Sequence, residues 1–491
     1  MAPLLKTGWA QTDITPKGPC MLAGQMGNRL ATEILDPLTA TALAIESGDE
    51  KVIIISADLG GFRPSLITEV RKIVSGATGI PEENITASAT HTHTAPQYGA
   101  VIPMADRHKV CKGKDKGNCG IDPDEMRKQY PDFVDSEAYF SFLVERISEA
   151  AVKAWEKRTF SKVSFGCGTA VVGENRRLTL KEKGGVMYAL EDDPAMLNAE
   201  GHVDHSVNVF AAWTPEGKLT GMIINIACPS QVSEAMSLVS ADYWHEVREE
   251  VAARFGKEVI VLPQCSAAGD ISPHKLLGRR ADERMMLLRH QQTAPNTDWS
   301  WRGRVYNLEY GLARRKELAR RIAVALEDVL PVIAPAAESA PVVKKSFRTI
   351  ELPPRLISEE EARTAAKQAE ERLAAIGDGF SGIIPWQLGV VDRFQNPPAS
   401  VSVELHVLRI GEMVFATNPF ELYLDYGDRI KGRSKAVQTF LVQLSAGPGT
   451  YLPSARSGGT GYGSVPASSI VTAQGGDKLV EESIQGINEL F

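Results

Sequence analysis

No stretch of about 18 apolar residues, the length that crosses a bilayer, occurs in this sequence, so no integral membrane segment is expected. Cysteine is scarce, six in 491 residues, too few for a disulfide scaffold of this length. A basic excess is missing as well. The 54 Lys and Arg face 61 Asp and Glu, a net charge of −7, which makes a poor general surface for nucleic acid. The segment Met1 to Trp9 has no basic stretch followed by an apolar run. It does not read as a signal peptide, and a cytoplasmic location is the expectation. What is present is ordinary: 43% hydrophobic and 23% charged residues, enough for a real core and against wholesale disorder or a coiled coil. At ~100–200 residues per domain, the length allows two to four domains or one large α/β unit with an appendage.

Val52 to Ala57 is an unbroken β-branched run and reads as a buried strand. A helical pattern follows from Pro64, with Leu66, Ile67, Val70, Ile73 and Val74 on one face, and residues 84–89 form a second strand running into Thr90-His-Thr-His-Thr94. The same grammar returns in Met222 to Ala227, a helix capped by Ser240, and Val259 to Leu262. Such crossovers make parallel pairs. The expected fold is α/β, with a mixed, largely parallel sheet core, flanking helices and a smaller α+β C-terminal part. The boundaries drawn are 1–333 for the catalytic core, 334–342 for a linker rich in Ala and Pro, and 343–491 for a C-terminal part that completes the active site.

In open parallel sheets ligands bind beyond the carboxyl ends of strands. There stand Asp58, His91 and His93, Cys228, and the Ser266–Asp270–Ser272 segment. In an extended chain His91 and His93 point the same way, two imidazoles aimed at one spot, which suits a metal and a proton-handling neighbour. Gly269-Asp-Ile-Ser-Pro273 sets a hydroxyl beside a carboxylate on a turn; its bland reading is Asp270 capping backbone amides. Cys111 and Cys119 read as free thiols in a polar surface excursion.

Gly8-Trp-Ala-Gln-Thr-Asp-Ile-Thr-Pro16, Asp36-Pro-Leu38, Thr90-His-Thr-His-Thr-Ala-Pro96, Ser240-Ala-Asp242 and Gly269-Asp-Ile-Ser-Pro273 follow one another in the chain. Together they resemble the amino-terminal catalytic domain of the neutral/alkaline non-lysosomal ceramidases, over about residues 8–465. On that resemblance, the family's separate immunoglobulin-like domain is not expected within these 491 residues. The resemblance implies a zinc-dependent hydrolase that cleaves an N-acyl amide with a metal-activated water, holding one zinc per chain. It places metal ligands at His91, Glu421 and Tyr451, and further site residues at Arg176, Tyr462 and Ser272. The second zinc histidine falls on Cys228. Three readings of that departure stand side by side: Cys228 ligates as thiolate, His245 substitutes for it, or zinc is lost.

On this reading His93 is a general base or acid, or orients the water. Arg176 and Tyr462 stabilise the oxyanion, and Ser272 is a nucleophile or a partner of substrate. The substrate is expected to be a small molecule and not ceramide itself. A small polar ester, lactone or glycoside remains an alternative, and the Arg- and Trp-rich 275–304 stretch (Trp299, Trp301) is a candidate pocket lining. So do a non-catalytic scaffold and a metal-free serine hydrolase using Ser272 and His93. A homo-oligomer is compatible with the chain.

Overall fold

The computed structural model describes residues 3–99, 123–188, 193–291, 307–375, 381–447 and 449–491. Cys111, Cys119, Trp299 and Trp301 lie outside the described residues.

Three sheets carry the architecture. The first orders its strands Ile85–Ala89, Glu50–Ala57, Thr39–Ser47, Leu5–Asp13 and Thr159–Phe160. The second runs Ile260–Cys265, Leu219–Ile226, Ser206–Trp213, Lys162–Thr169, and the third Val343–Leu352, Val401–Ile410, Met413–Thr417, Gln438–Val442. Both crossovers read from the sequence are there, since Glu50–Ala57 pairs parallel with Ile85–Ala89 and Leu219–Ile226 with Ile260–Cys265. Met413–Thr417 and Gln438–Val442 form a third parallel pair around the helix Leu424–Arg433. The remaining pairings in these three sheets are antiparallel. A largely parallel core is therefore the wrong generalisation. Tight returns such as Trp213 to Leu219, turning at Gly217 with φ +91°, can only make antiparallel neighbours.

The helix Pro64–Thr78 starts on its proline and ends at Gly79, whose φ of +72° suits a residue without a side chain. Leu66, Ile67, Val70 and Val74 are buried as expected, whereas Ile73 is 47% exposed and belongs to the outer face. The second crossover helix is Tyr243–Phe255, capped by Asp242 rather than Ser240. Asp242 accepts from the amides of Val232, Ser233 and Tyr243. Ser240 instead donates to Asp36.

One apolar cluster draws on all three sheets, among them Leu43, Ile54, Phe210, Leu262, Phe415 and Phe440. Polar bonds then tie the parallel pairs together: Asn225 Nδ2 donates to Leu441 O at 2.6 Å, and Ser445 Oγ to Ala87 O at 2.9 Å. The amide of Gln443 donates to Cys265 O at 3.0 Å. The carboxyl ends of the three parallel pairs are thereby brought to one place. Residues 334–336 form a short 3-10 turn, and Glu338 bridges to Val163.

Candidate functional site

The strand Ile85–Ala89 ends two residues before His91, whose φ of +64° lies in the left-handed region. A non-glycine residue held there costs of order 1–3 kcal/mol, and such strain gathers at functional sites. The turn also breaks the extended geometry expected for His91 and His93, so the two imidazoles do not aim at one point. They meet edge to face, ring centroids 4.9 Å apart, and each faces its own carboxylate.

His91 Nδ1 lies 2.5 Å from Gly60 O. A carbonyl only accepts, so Nδ1 carries a proton. Its Nε2 is buried 3.2 Å from Glu421 Oε2, an ion pair when the ring is doubly protonated and a contact without a well-aligned hydrogen bond when it is neutral. Burial pushes the His91 pKa down, but Glu421 and the Gly60 carbonyl outweigh it and hold it above its ordinary value. Burial would raise Glu421, and His91 with Arg176 and Tyr451 brings it below the usual carboxylate range. Glu421 lies opposite Tyr451 in the parallel pair Glu421–Leu422 and Tyr451–Leu452, and the Tyr451 hydroxyl bonds its carboxylate.

Arg176 closes the chamber. Its Nη2 donates to Tyr451 Oη at 3.1 Å and to Gly269 O at 2.8 Å, and its Nη1 to Tyr188 Oη at 3.0 Å. Tyr188 in turn hydrogen-bonds Ser272. Ser272 is fully buried, and its Oγ accepts from the amide of His274 at 3.1 Å. Asp270 takes its bland role, accepting from Leu424 N and Asn175 Nδ2, each at 2.9 Å, and so pins the start of the next helix.

Tyr462 stands at the mouth, 41% exposed, its ring 5.5 Å from that of Tyr451 and 5.5 Å from that of Trp386. A groove of 720 Å³ opens there, lined among others by Arg355, Glu361, Gln368, Trp386 and Tyr462. Gly463 (φ +87°) allows the loop its close approach: a Cβ there would lie 2.7 Å from Tyr423 Oη.

His93 Nδ1 is 3.2 Å from Glu234 Oε2, and its Nε2 is 2.9 Å from Gln231 Nε2. Gly24 (φ +92°) lets the chain run against the ring, where a Cβ would come within 2.4 Å of it. Burial lowers the His93 pKa below its ordinary value.

Cys228 is expected to take the place of the second zinc histidine. It is fully buried in an apolar cluster with Ile226, Val232, Tyr243 and Trp244, and its sulfur lies 3.6 Å from Pro229 O. Burial drives its pKa well up, with Cys265 adding to it, which favours the thiol over the thiolate that zinc binds. His245 sits on the outer side of its helix, 3.4 Å from Glu249.

Among the described residues no group of three or more His, Cys, Asp and Glu side chains is arranged to hold a metal. His91, Glu421 and the Tyr451 hydroxyl nevertheless fit one. An imidazole whose Nδ1 is engaged by a carbonyl and whose Nε2 faces a buried carboxylate is the arrangement of a histidine that would share a cation with that carboxylate once the ring is neutral. Two donors on a tetrahedral zinc stand roughly 3.3 Å apart for bonds of about 2.0–2.1 Å, close to the separation found. The sequence reading missed Tyr188, Gln231, Glu234 and His274. Glu234 had a signal, an acidic residue six positions after the strand-ending Cys228.

No family model matches the sequence, and no curated protein does at a significant level. Solved structures do match by shape. The crystal structure of neutral ceramidase from Pseudomonas aeruginosa superposes with a TM-score of 0.66 at 14% identity, over 99% of this chain and 74% of that one. A structure of ceramidase complexed with C2 gives 0.67 at 14% identity, over 99% and 75%. The resemblance read from short motifs is therefore matched in three dimensions: this chain has the fold of neutral ceramidase.

Proposed function

We propose that this protein is a zinc-dependent hydrolase of N-acyl amide bonds whose substrate is not ceramide. The observation that carries the reading is the His91–Glu421 pair, a buried imidazole whose Nε2 lies 3.2 Å from a buried carboxylate, with Tyr451 beside it. His91, Glu421 and Tyr451 would hold the ion, and Cys228 stays in the apolar layer. When bound, zinc supplies Lewis acidity and a water of lowered pKa. Arg176 directs its Nη2 at the Tyr451 hydroxyl and presents fixed positive charge for the oxygen of the scissile carbonyl as it becomes anionic. Buried charge of this kind acts strongly because water is excluded. Tyr462 receives the substrate at the mouth. The adjoining groove mixes Arg355, Glu361 and Gln368 with aromatic rings, which favours a polar substituent over two long alkyl chains.

The serine-hydrolase reading finds less support. Ser272 Oγ is engaged by the His274 amide, and both His93 nitrogens face other groups. The test is turnover of a panel of N-acyl p-nitroanilides, from short polar to long alkyl, by protein reconstituted with zinc. Turnover quenched by dipicolinate and restored by zinc supports the reading. Turnover indifferent to the chelator contradicts it, and zinc-loaded protein inactive on the whole panel points to the scaffold alternative.

A further inference from the structure

The chamber holds a second buried carboxylate, and its two oxygens are treated unequally. Glu234 follows the Cys228-Pro229 turn and is 4% exposed. Its Oε2 accepts from Gln25 Nε2 at 3.1 Å and lies 3.2 Å from His93 Nδ1. Its Oε1 is buried with no hydrogen-bond partner. The nearest imidazole on that side, His274, has its Nε2 4.0 Å away, and that nitrogen is 3.0 Å from Gln231 O. A buried carboxylate oxygen left without a protein donor costs free energy, so its retention calls for a reason. Glu234 is also an electrostatic neighbour of Arg176, Tyr188 and Tyr462, so it shares their chamber. His93, by contrast, has no nitrogen turned to open space: one faces Glu234 and the other Gln231.

We propose that Glu234, through Oε1, is the general base of this centre, with His93 and Gln25 holding it from behind. The assignment rests on the hydrolase reading above. The attacking water gives one proton to Glu234 Oε1 while its oxygen bonds to the scissile carbonyl carbon. The carbon–nitrogen bond then breaks, the departing nitrogen takes the proton back from Glu234, and the carboxylate is regenerated. Gln25 and His93 fix the carboxylate's orientation, so it loses no freedom as the proton moves.

The test uses full-length, zinc-loaded protein and the p-nitroanilide that the parent cleaves best. Glu234→Gln keeps the shape and removes the base; kcat should fall on the order of 10²–10⁴-fold, with KM and bound zinc unchanged. Glu234→Ala should be restarted by added formate, a small external carboxylate. Glu234→Gln with the parent's kcat overturns the proposal. So does a folded, zinc-loaded Glu234→Ala protein that formate does not restart, since Glu234 would then only support His93. Because an inactive parent would sink the hydrolase reading first, a high-resolution crystal structure provides a second decision. A water bonded to Glu234 Oε1 keeps it as the free acceptor of the chamber, and a protein donor bonded there removes it.

Discussion

The imidazoles of His91 and His93 meet edge to face, with planes 78° apart, and each is held by a different glutamate: His91 by Glu421 and His93 by Glu234. A His-x-His motif at the end of a strand thus builds two His–Glu pairs instead of one pincer. The His91 pair sets an imidazole nitrogen 3.2 Å from a carboxylate oxygen, a spacing that two ligands of one cation would have. The His93 pair leaves a carboxylate oxygen unbonded, which suits a proton.

The packing role of Cys228 is directly testable. Cys228→Ala should bind zinc as the parent does, and should lower unfolding stability by about 1–2 kcal/mol through the small cavity it opens. In the native protein the thiol should be inert to a thiol reagent with or without chelator, because burial and not metal protects it. A marked loss of zinc in Cys228→Ala, measured by elemental analysis, would restore the ligand reading.

Ser272 should not form a covalent intermediate. Intact-mass spectrometry after treatment with a serine-reactive phosphonate should show no adduct on Ser272, because the hydroxyl is fully buried and engaged. A stable adduct there would favour acyl-enzyme chemistry.

A third prediction concerns the seam between the first and third sheets. Arg71, on the helix Pro64–Thr78, grips Glu404 of Val401–Ile410 with both Nη atoms, at 3.1 and 2.9 Å. Burial would raise the Glu404 pKa, but His406 and Arg71 bring it down to about 2 from the ordinary 4.5. A depressed carboxylate contributes stability that is present above its unfolded pKa. That contribution should be lost as pH falls from about 4.5 towards 2. Glu404→Gln should cost about 1.5 kcal/mol at pH 7 in urea unfolding, since a charged bidentate bond is removed. It should also lose less stability than the parent on going to pH 3. Equal acid sensitivity in both would count against the pair.

Much of this was legible in the sequence because it rests on local pattern. The two crossovers followed from unbroken apolar runs flanking amphipathic helices, and His91 and His93 stand just past the end of one of them. Glu421, Tyr451 and Arg176 came only through the family resemblance, since nothing local marks them, and they meet in one chamber. Other features depended on partners distant in sequence. Beyond the tight hairpins, antiparallel pairings also come from strands such as Leu5–Asp13 and Val343–Leu352, which pair across long connections. The burial of Cys228 depends on Tyr243 and Trp244 packing over it. Glu234 lay in a turn with no periodicity, and its significance is visible only once His93, Gln25 and His274 surround it.

The central claim, that His91 and Glu421 form a metal centre, is tested most directly by anomalous X-ray scattering at the zinc edge on crystals of protein purified with zinc. The account predicts one strong anomalous peak per chain, bonded to His91 Nε2 and Glu421 and absent in His91→Ala crystals. A zinc-loaded preparation with no peak at that position, or a peak that survives His91→Ala, would contradict it.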